Sequence, residues 1–328
     1  CMITSTPNSD EDQFALIWKE ANKRFDEYGN DQIVGTNGFY AMKAHWSEHP
    51  DRNEEWAETE RSRIGEERFR REHECEFLIF DETLISSLTL ADMEGVSPVE
   101  VTGQVRWFKR PTPGHTYMVS LDPSMGTGGD FAAIQIFELP TFEQVGEWQH
   151  NMTPMNQQVR ILQQINKHIH DTIIEKDASA TPQIFYSMEN NTIGEAALMR
   201  VMDIGEENIM GMFLSEPIRK GHRRKFRRGF NTTAKFKIDA CTKFKELVES
   251  GKMKLNSQLL ISELKDFVAT GLSYKAKPGQ HDDLVSACLL MTRMMKVLAD
   301  FDPKIFEKWT DRSSEMTTPM PIFGNFYG

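Results

Sequence analysis

The stretch YMVSLDPSMGTGGDFAAIQIFEL, residues 117–139, decides how the fold is read. It opens as an apolar run that stops on a carboxylate, Asp122. Three glycines then carry the chain to Asp130, and a second apolar run follows. Short apolar runs bounded by turn residues read as buried strands. A strand ending on an acid beside a glycine-rich turn sets a charge at a sheet edge, where packing alone does not call for one.

Outward from that stretch the pattern is regular. Three short β-rich runs follow closely on one another (116–121, 132–138, 144–149). A helical stripe over 155–175 comes next, with Val159, Leu162, Ile165 and Ile169 on one face. A strand QIFYSME, a helix near 192–202, a strand IMGMFLS and a basic loop follow, then helices near 233–250, 257–268 and 282–299. Three adjacent strands, a crossover helix and further strand–helix units make an α/β fold, a mixed sheet of the ribonuclease H type flanked by helices, over 106–300. Upstream, residues 11–28 and 54–73 have helical spacing, and the second reads as one exposed, salt-bridged helix. Residues 86–105, with Gly95, Pro98 and Gly103, read as a connector, and 301–328 as a mobile tail. The start, CMITSTPNS, reads as the end of a buried strand entering a turn. The chain is therefore expected to be the C-terminal part of something longer; a product of protein splicing is the other way to begin on Cys1.

At 328 residues, with 39% hydrophobic and 27% charged residues, the chain has the composition of an ordinary soluble protein. It holds no run of eighteen apolar residues and no signal-peptide pattern near its start, so it reads as intracellular, neither secreted nor membrane-bound. Cys1, Cys75, Cys241 and Cys288 form no CxxC pair and read as free thiols. The net charge of -11 argues against a nucleic-acid partner only if it is spread evenly. It is not: residues 1–100 hold 10 Lys and Arg against 23 Asp and Glu, and the remainder 28 against 26.

Acids fall at three places where elements should end or begin. Asp122 closes the first strand, Glu189 closes QIFYSME, and Asp282 with Asp283 opens the last helix. Carboxylates brought together without a counterion repel one another. A hard divalent cation such as Mg²⁺ takes oxygen ligands from a few carboxylates, and a pair of such ions can activate water for phosphodiester cleavage. The plainer readings are a turn for Asp122 and a helix cap for Asp282–Asp283. The GTGGD turn also resembles the first phosphate loop of actin- and hexokinase-like kinases, but no second phosphate loop and no GxxxxGK[ST] accompany it. Otherwise its glycines allow a tight turn beside the metal site, with Asp130 an auxiliary carboxylate.

The segment EPIRKGHRRKFRRGFNTT, residues 216–233, holds Arg219, Lys220, Arg223, Arg224, Lys225, Arg227 and Arg228 with no acid among them. Such a block can neutralise backbone phosphates, with Phe226 and Phe230 available to stack. It reads as a DNA contact without base specificity.

Taken in order, SLDPSMGTGGDFAA, YSMENNTIG, RRGFNTTAKFKIDACTKFKELVESGKMKL with ELKDFV, and GQHDDLVSACLL resemble the large terminase subunit of tailed bacteriophages, particularly the T-even-like group. Upstream, STPNS and the segment HWSEHPDRNEEWAETERSRIGEERFRREHECEFL resemble the end of that family's ATPase domain and its passage to the nuclease. The resemblance implies a ribonuclease H-like nuclease that cuts concatemeric double-stranded viral DNA during headful packaging, using two Mg²⁺ or Mn²⁺ ions. Its metal-binding acids map onto Asp122, Glu189 and the Asp282–Asp283 pair, without choosing between the last two. Asp130 is a weaker match, and His281 an auxiliary residue that orients a carboxylate or caps the helix. The implied partners are DNA, the portal protein and the small terminase subunit, in the host cytoplasm and at the procapsid portal. Residues 1–85 would be the remnant of a P-loop ATPase domain. With no Walker motif in the chain, no ATP hydrolysis is expected of it. A recombinase or Holliday-junction resolvase on the same fold, and a non-catalytic DNA-gripping, portal-docking module, are the rival readings.

Overall fold

A computed structural model describes residues 2–5, 13–24, 32–76, 83–191, 193–216, 229–271 and 273–301. The chain divides into two compact units, Cys1–Met93 and Glu94–Gly328. The segment read as a basic loop, from Arg219 to Arg228, and residues 302–328 of the expected tail lie outside the described residues.

The first unit holds α1 (Gln13–Asn22), α2 (Glu54–Ile64), α3 (Glu66–His73) and α4 (Ser87–Asp92). The single helix expected over 54–73 is two, because Gly65 between them takes φ +85°, a left-handed conformation that glycine adopts without strain. Nor is its surface only solvated. Trp46, Ala57 and Phe69 are buried together, with Trp56 and Ile64 packed against them. Around that small core Arg61 pairs with Glu74 at 2.8 Å and Arg70 with Asp92 at 2.7 Å.

The second unit is built on β1 (Glu100–Thr102), β2 (Val105–Trp107), β3 (Thr116–Asp122), β4 (Ala132–Leu139), β5 (Glu143–His150), β6 (Gln183–Met188) and β7 (Met212–Phe213). The sheet order is β1-β2-β5-β4-β3-β6-β7. Strands β3, β4 and β5 form an antiparallel meander; β6 pairs parallel to β3, and β7 parallel to β6. The α5 helix (Met155–Lys176) makes the crossover and α6 (Gly194–Ile204) the next one. This is the mixed, helix-flanked sheet expected from the sequence.

Period-two alternation sorts β3 between the faces. Tyr117, Val119 and Leu121 join the core formed with Val159, Leu162, Ile165 and Ile169 of α5. Residues on the opposite face of β3 meet α9 (Asp283–Phe301), to which buried Ser120 donates a hydrogen bond. Because both faces are covered, β3 and β4 are buried almost throughout and read as near-continuous apolar runs. The remaining helices, α7 (Ala234–Glu249) and α8 (Gln258–Asp266), begin at side-chain caps from Thr233 and Ser257.

Three elements depart from expectation. Residues 100–107, read largely as connector, form the β1–β2 hairpin around Gly103 at φ +62°, and Trp107 is buried. The strand expected over 209–215 shrinks to β7. The helix expected to 268 stops at Asp266, where β8 (Phe267–Thr270) and β9 (Ser273–Ala276) form a second hairpin.

Candidate active site

Strands β3 and β6 are parallel neighbours with Leu121 beside Met188. The next residues, Asp122 at the end of β3 and Glu189 just past β6, therefore lie side by side. The Glu189 amide donates to the Leu121 carbonyl at 3.1 Å, and Glu189 raises the neighbouring Asp122 carboxyl through its charge and through a hydrogen bond. Asp283 enters from a third element as the first residue of α9, and its Oδ2 accepts from the Phe131 amide at 3.2 Å. The Ser120 hydroxyl, two residues before Asp122, donates to the Ala287 carbonyl at 2.8 Å and fixes β3 against α9 one turn beyond Asp283. Asp282 points its Oδ2 at the Ala276 amide of β9 at 3.3 Å, with the Lys237 ammonium of α7 at 3.8 Å.

The glycine-rich turn is fastened from α5. Buried Gln158 donates to the carbonyls of Ser124 (2.9 Å) and Thr153 (2.8 Å), and its Oε1 accepts from the Ser124 amide at 3.3 Å. Gly126 takes φ +68°, and a Cβ placed there would stand 2.1 Å from the Thr153 carbonyl oxygen. Only glycine lets the chain leave Asp122 so close to the start of α5. Past β6, the Asn191 side chain accepts from the amides of Ile193 and Gly194 and turns the chain into α6. A Cβ on Gly194 would lie 1.8 Å from the Glu189 carbonyl oxygen.

The electrostatics follow from this crowding. Burial, then the Glu189 carboxylate and its hydrogen bond, then Asp283 and Asp282, push the Asp122 carboxyl well above its usual range. Burial pushes Asp283 up to about 6; Asp282 and Asp130 add to the rise, while the Phe131 amide and His281 oppose it. A further carboxyl, missed at the sequence level, belongs here. Glu263 of α8 accepts from the Val285 amide in the first turn of α9 (3.1 Å) and from Gln149 (2.8 Å). Burial raises it to about 8, and Asp283 adds to that rise. Its only sequence cue is one acid on an otherwise apolar face of an amphipathic helix, which no spacing distinguishes from a solvated residue.

Asp130 is exposed and acts on Asp283 through its charge. His281 Nδ1 stands 3.6 Å from Asp283 Oδ2, with its ring edge-on to Phe131. The structure thus gathers Asp122, Glu189, Asp282, Asp283, Asp130 and His281 at one end of the sheet, and Lys237 with them. Among the described residues no cation pairs with Asp122 or Glu189, and no three His, Cys, Asp or Glu side chains already stand as a metal-coordinating group. These acids are neighbours rather than a formed coordination shell. Their chemistry, oxygen donors only, with Asp122 and Asp283 held above their usual range by burial and by the neighbouring acids, fits a hard divalent cation that would relieve the repulsion. Among the described residues no helix is long and apolar enough to cross a membrane.

A family model described as terminase RNaseH-like domain matches residues 119–294, more than half of the chain. The match runs from β3 into α9 and so contains every acid of the cluster. Among solved structures, the chain is similar to the large terminase nuclease from thermophilic phage G20c with bound magnesium. The identity is 17%, covering 65% of this chain and 97% of that one, with a TM-score of 0.48. It is also similar to the Thermus phage P74-26 large terminase nuclease domain at 18% identity, covering 62% and 90%, TM-score 0.44. The human cytomegalovirus terminase nuclease domain follows at 13% identity, covering 64% and 93%, TM-score 0.40.

Proposed function

The chain belongs to the terminase RNaseH-like domain family, and from that membership we propose that it is a metal-dependent DNA endonuclease that cuts concatemeric double-stranded viral DNA during headful genome packaging. The observation that carries this reading is the meeting of Asp122, Glu189 and Asp283 from two parallel strand ends and a helix start, with no cation among the described residues paired to Asp122 or Glu189. Asp122, Glu189, Asp282 and Asp283 would hold two Mg²⁺ or Mn²⁺ ions, and Asp130 would add negative charge at the rim. Such an ion pair lowers the pKa of an attacking water and stabilises the leaving 3′ oxygen.

The rest falls to the protein's own groups. Asp122, whose carboxyl is raised by burial and by Glu189, would give up its proton on loading. Asp283 is kept in place by the Phe131 amide, and Asp282 by the Ala276 amide and Lys237. His281 orients the Asp283 carboxylate. Arg219, Lys220, Arg223, Arg224, Lys225, Arg227 and Arg228 would neutralise backbone phosphates, giving cleavage little sequence preference. In the packaging machine the partners would be the portal protein and the small terminase subunit, met in the host cytoplasm at the procapsid portal. Residues 1–85 would belong to an ATPase domain, and with no GxxxxGK[ST] among the 328 residues ATP hydrolysis is not proposed for them.

The test is supercoiled-plasmid cleavage with Mg²⁺, Mn²⁺ or EDTA. Nicking and linearisation should need metal and disappear in Asp122→Asn, Glu189→Gln and Asp282→Asn/Asp283→Asn, with DNA binding retained. Plasmid left intact under every metal by folded, DNA-binding protein would overturn the nuclease reading and favour a gripping role. A strong preference for branched over linear duplex DNA would favour a resolvase.

A further inference from the structure

We propose that Arg293, ten residues into α9 from Asp283, is the positioning residue for Glu189. The proposal rests on the carboxylates being a metal site. Glu189 is the first residue past β6, and its backbone is held on one side by Leu121 of β3. On the other side it bridges to Phe230: the Asn190 amide donates to the Phe230 carbonyl at 2.6 Å, and the Phe230 amide to the Met188 carbonyl at 3.2 Å. Phe230 therefore extends the sheet where β6 ends, and Glu189 stays fixed only as well as that segment does.

The segment is held from α9. The Arg293 guanidinium, 11% exposed, donates to the Asn231 carbonyl at 3.0 Å and to the Thr232 hydroxyl at 3.0 Å. It also pairs with Glu216 and lies over the rings of Phe230 (5.2 Å) and Phe236 (5.1 Å). Glu216 accepts in turn from the Asn231 amide at 3.5 Å, while the Gly229 amide donates to the Ser215 hydroxyl at 3.1 Å. One guanidinium thus joins the chain before residue 217 to the chain after residue 228 and presses the joint against Glu189. A planar fork with several donors and a stacking face does this; an ammonium supplies the charge to Glu216 but not the fork or the stacking.

The same helix carries Asp283, roughly 15 Å away along its axis at 1.5 Å per residue. Ser120 fastens that helix to β3 between the two positions. One rigid element therefore sets Asp283 directly and Glu189 through Arg293, which makes the spacing of the two carboxylates a property of α9. A purely structural anchor would lose stability on substitution and leave metal affinity alone. Groups hydrogen-bonded to a metal ligand are typically worth 10–100-fold in metal affinity; Arg293, which reaches Glu189 through the Phe230 segment, is set at the low end of that range.

The experiment is isothermal titration of the full chain with Mn²⁺ alone, beside thermal melting, for wild type, Arg293→Lys, Arg293→Gln, Thr232→Ala and Asp122→Asn. A mildly destabilised core variant, Ile169→Val, serves as control. Arg293→Gln should raise the Mn²⁺ Kd about tenfold, Arg293→Lys should recover part of that loss, and Ile169→Val should melt earlier with unchanged Kd. If Arg293→Gln does not fold, Arg293→Lys and Thr232→Ala carry the same comparison. A Kd within about twofold of wild type in the folded Arg293 variants, with Asp122→Asn still losing Mn²⁺, overturns the positioning role and leaves the metal site standing. Wild-type protein that takes up no Mn²⁺ overturns both.

Discussion

Asp283→Asn in metal-free buffer tests whether the acids are held together against their own repulsion. The Asp283 carboxyl, usually near 3.8, is raised to about 6, mainly by burial and by Asp282, and its side chain is 14% exposed. Two pKa units at 1.36 kcal/mol each make ionised Asp283 a native-state cost of about 3 kcal/mol. The sign follows from linkage. Folded protein binds this proton more tightly than unfolded protein does, so the cost is absent below about pH 4, grows as pH rises, and is complete above about pH 6. Asparagine keeps an oxygen for the Phe131 amide but loses the charge assistance, worth about 1 kcal/mol. The net gain of about 2 kcal/mol corresponds to a melting temperature about 4–8 °C higher for a unit of this size. Differential scanning fluorimetry in EDTA should show that rise at about pH 8 and its disappearance toward pH 4. Excess Mg²⁺ should reverse the order, because only the wild type gains from binding. A variant that melts below wild type in EDTA at alkaline pH, or a gain independent of pH, would refute the reasoning.

Three further outcomes are expected. Gly126→Ala should cost at least about 2 kcal/mol in urea unfolding, since the new Cβ meets the Thr153 carbonyl in a left-handed backbone. Gln158→Leu keeps the volume but leaves the Ser124 and Thr153 carbonyls without their donor, which should cost about 2–4 kcal/mol by the same measurement. Lys109→Met should lower stability by about 3–5 kcal/mol, because Lys109 is the cation paired with the fully buried Glu138; an unchanged urea midpoint would show that Thr141 and Tyr117 suffice for it.

The sheet was legible because its signals are local. The runs around 117–139 and the stripe of Val159, Leu162, Ile165 and Ile169 each state their period within a few residues. Asp122 and Glu189 were legible as carboxylates ending apolar runs, and Asp283 as an acid opening a helix. What escaped depends on distance in sequence. Glu263 gains its place from Val285 and Gln149, and Arg293 from Glu216, Asn231 and Thr232. Neither residue breaks the helical pattern around it. The two hairpins escaped for another reason: β1 and β9 are short and half-exposed, so their alternation is weak and only Gly103 and Gly271 mark the turns.

The means by which the acids are held bears on how metal and folding are coupled. Glu189 is fixed through backbone bonds to Leu121 and the Phe230 segment, Asp283 through the Phe131 amide, and the turn after Asp122 through Gln158. None of these contacts passes through a metal ion. The large core between β3–β6 and α5 lies on the sheet face opposite α9 and owes nothing to the carboxylates. Acids positioned by the fold would make a metal site unlike those of small domains that are unfolded without their ion. Removing metal should therefore leave this protein folded, with the repulsion eased where the raised Asp122 carboxyl keeps its proton. Loading would then exchange that proton for a cation, so that metal affinity falls as the pH is lowered while the fold remains.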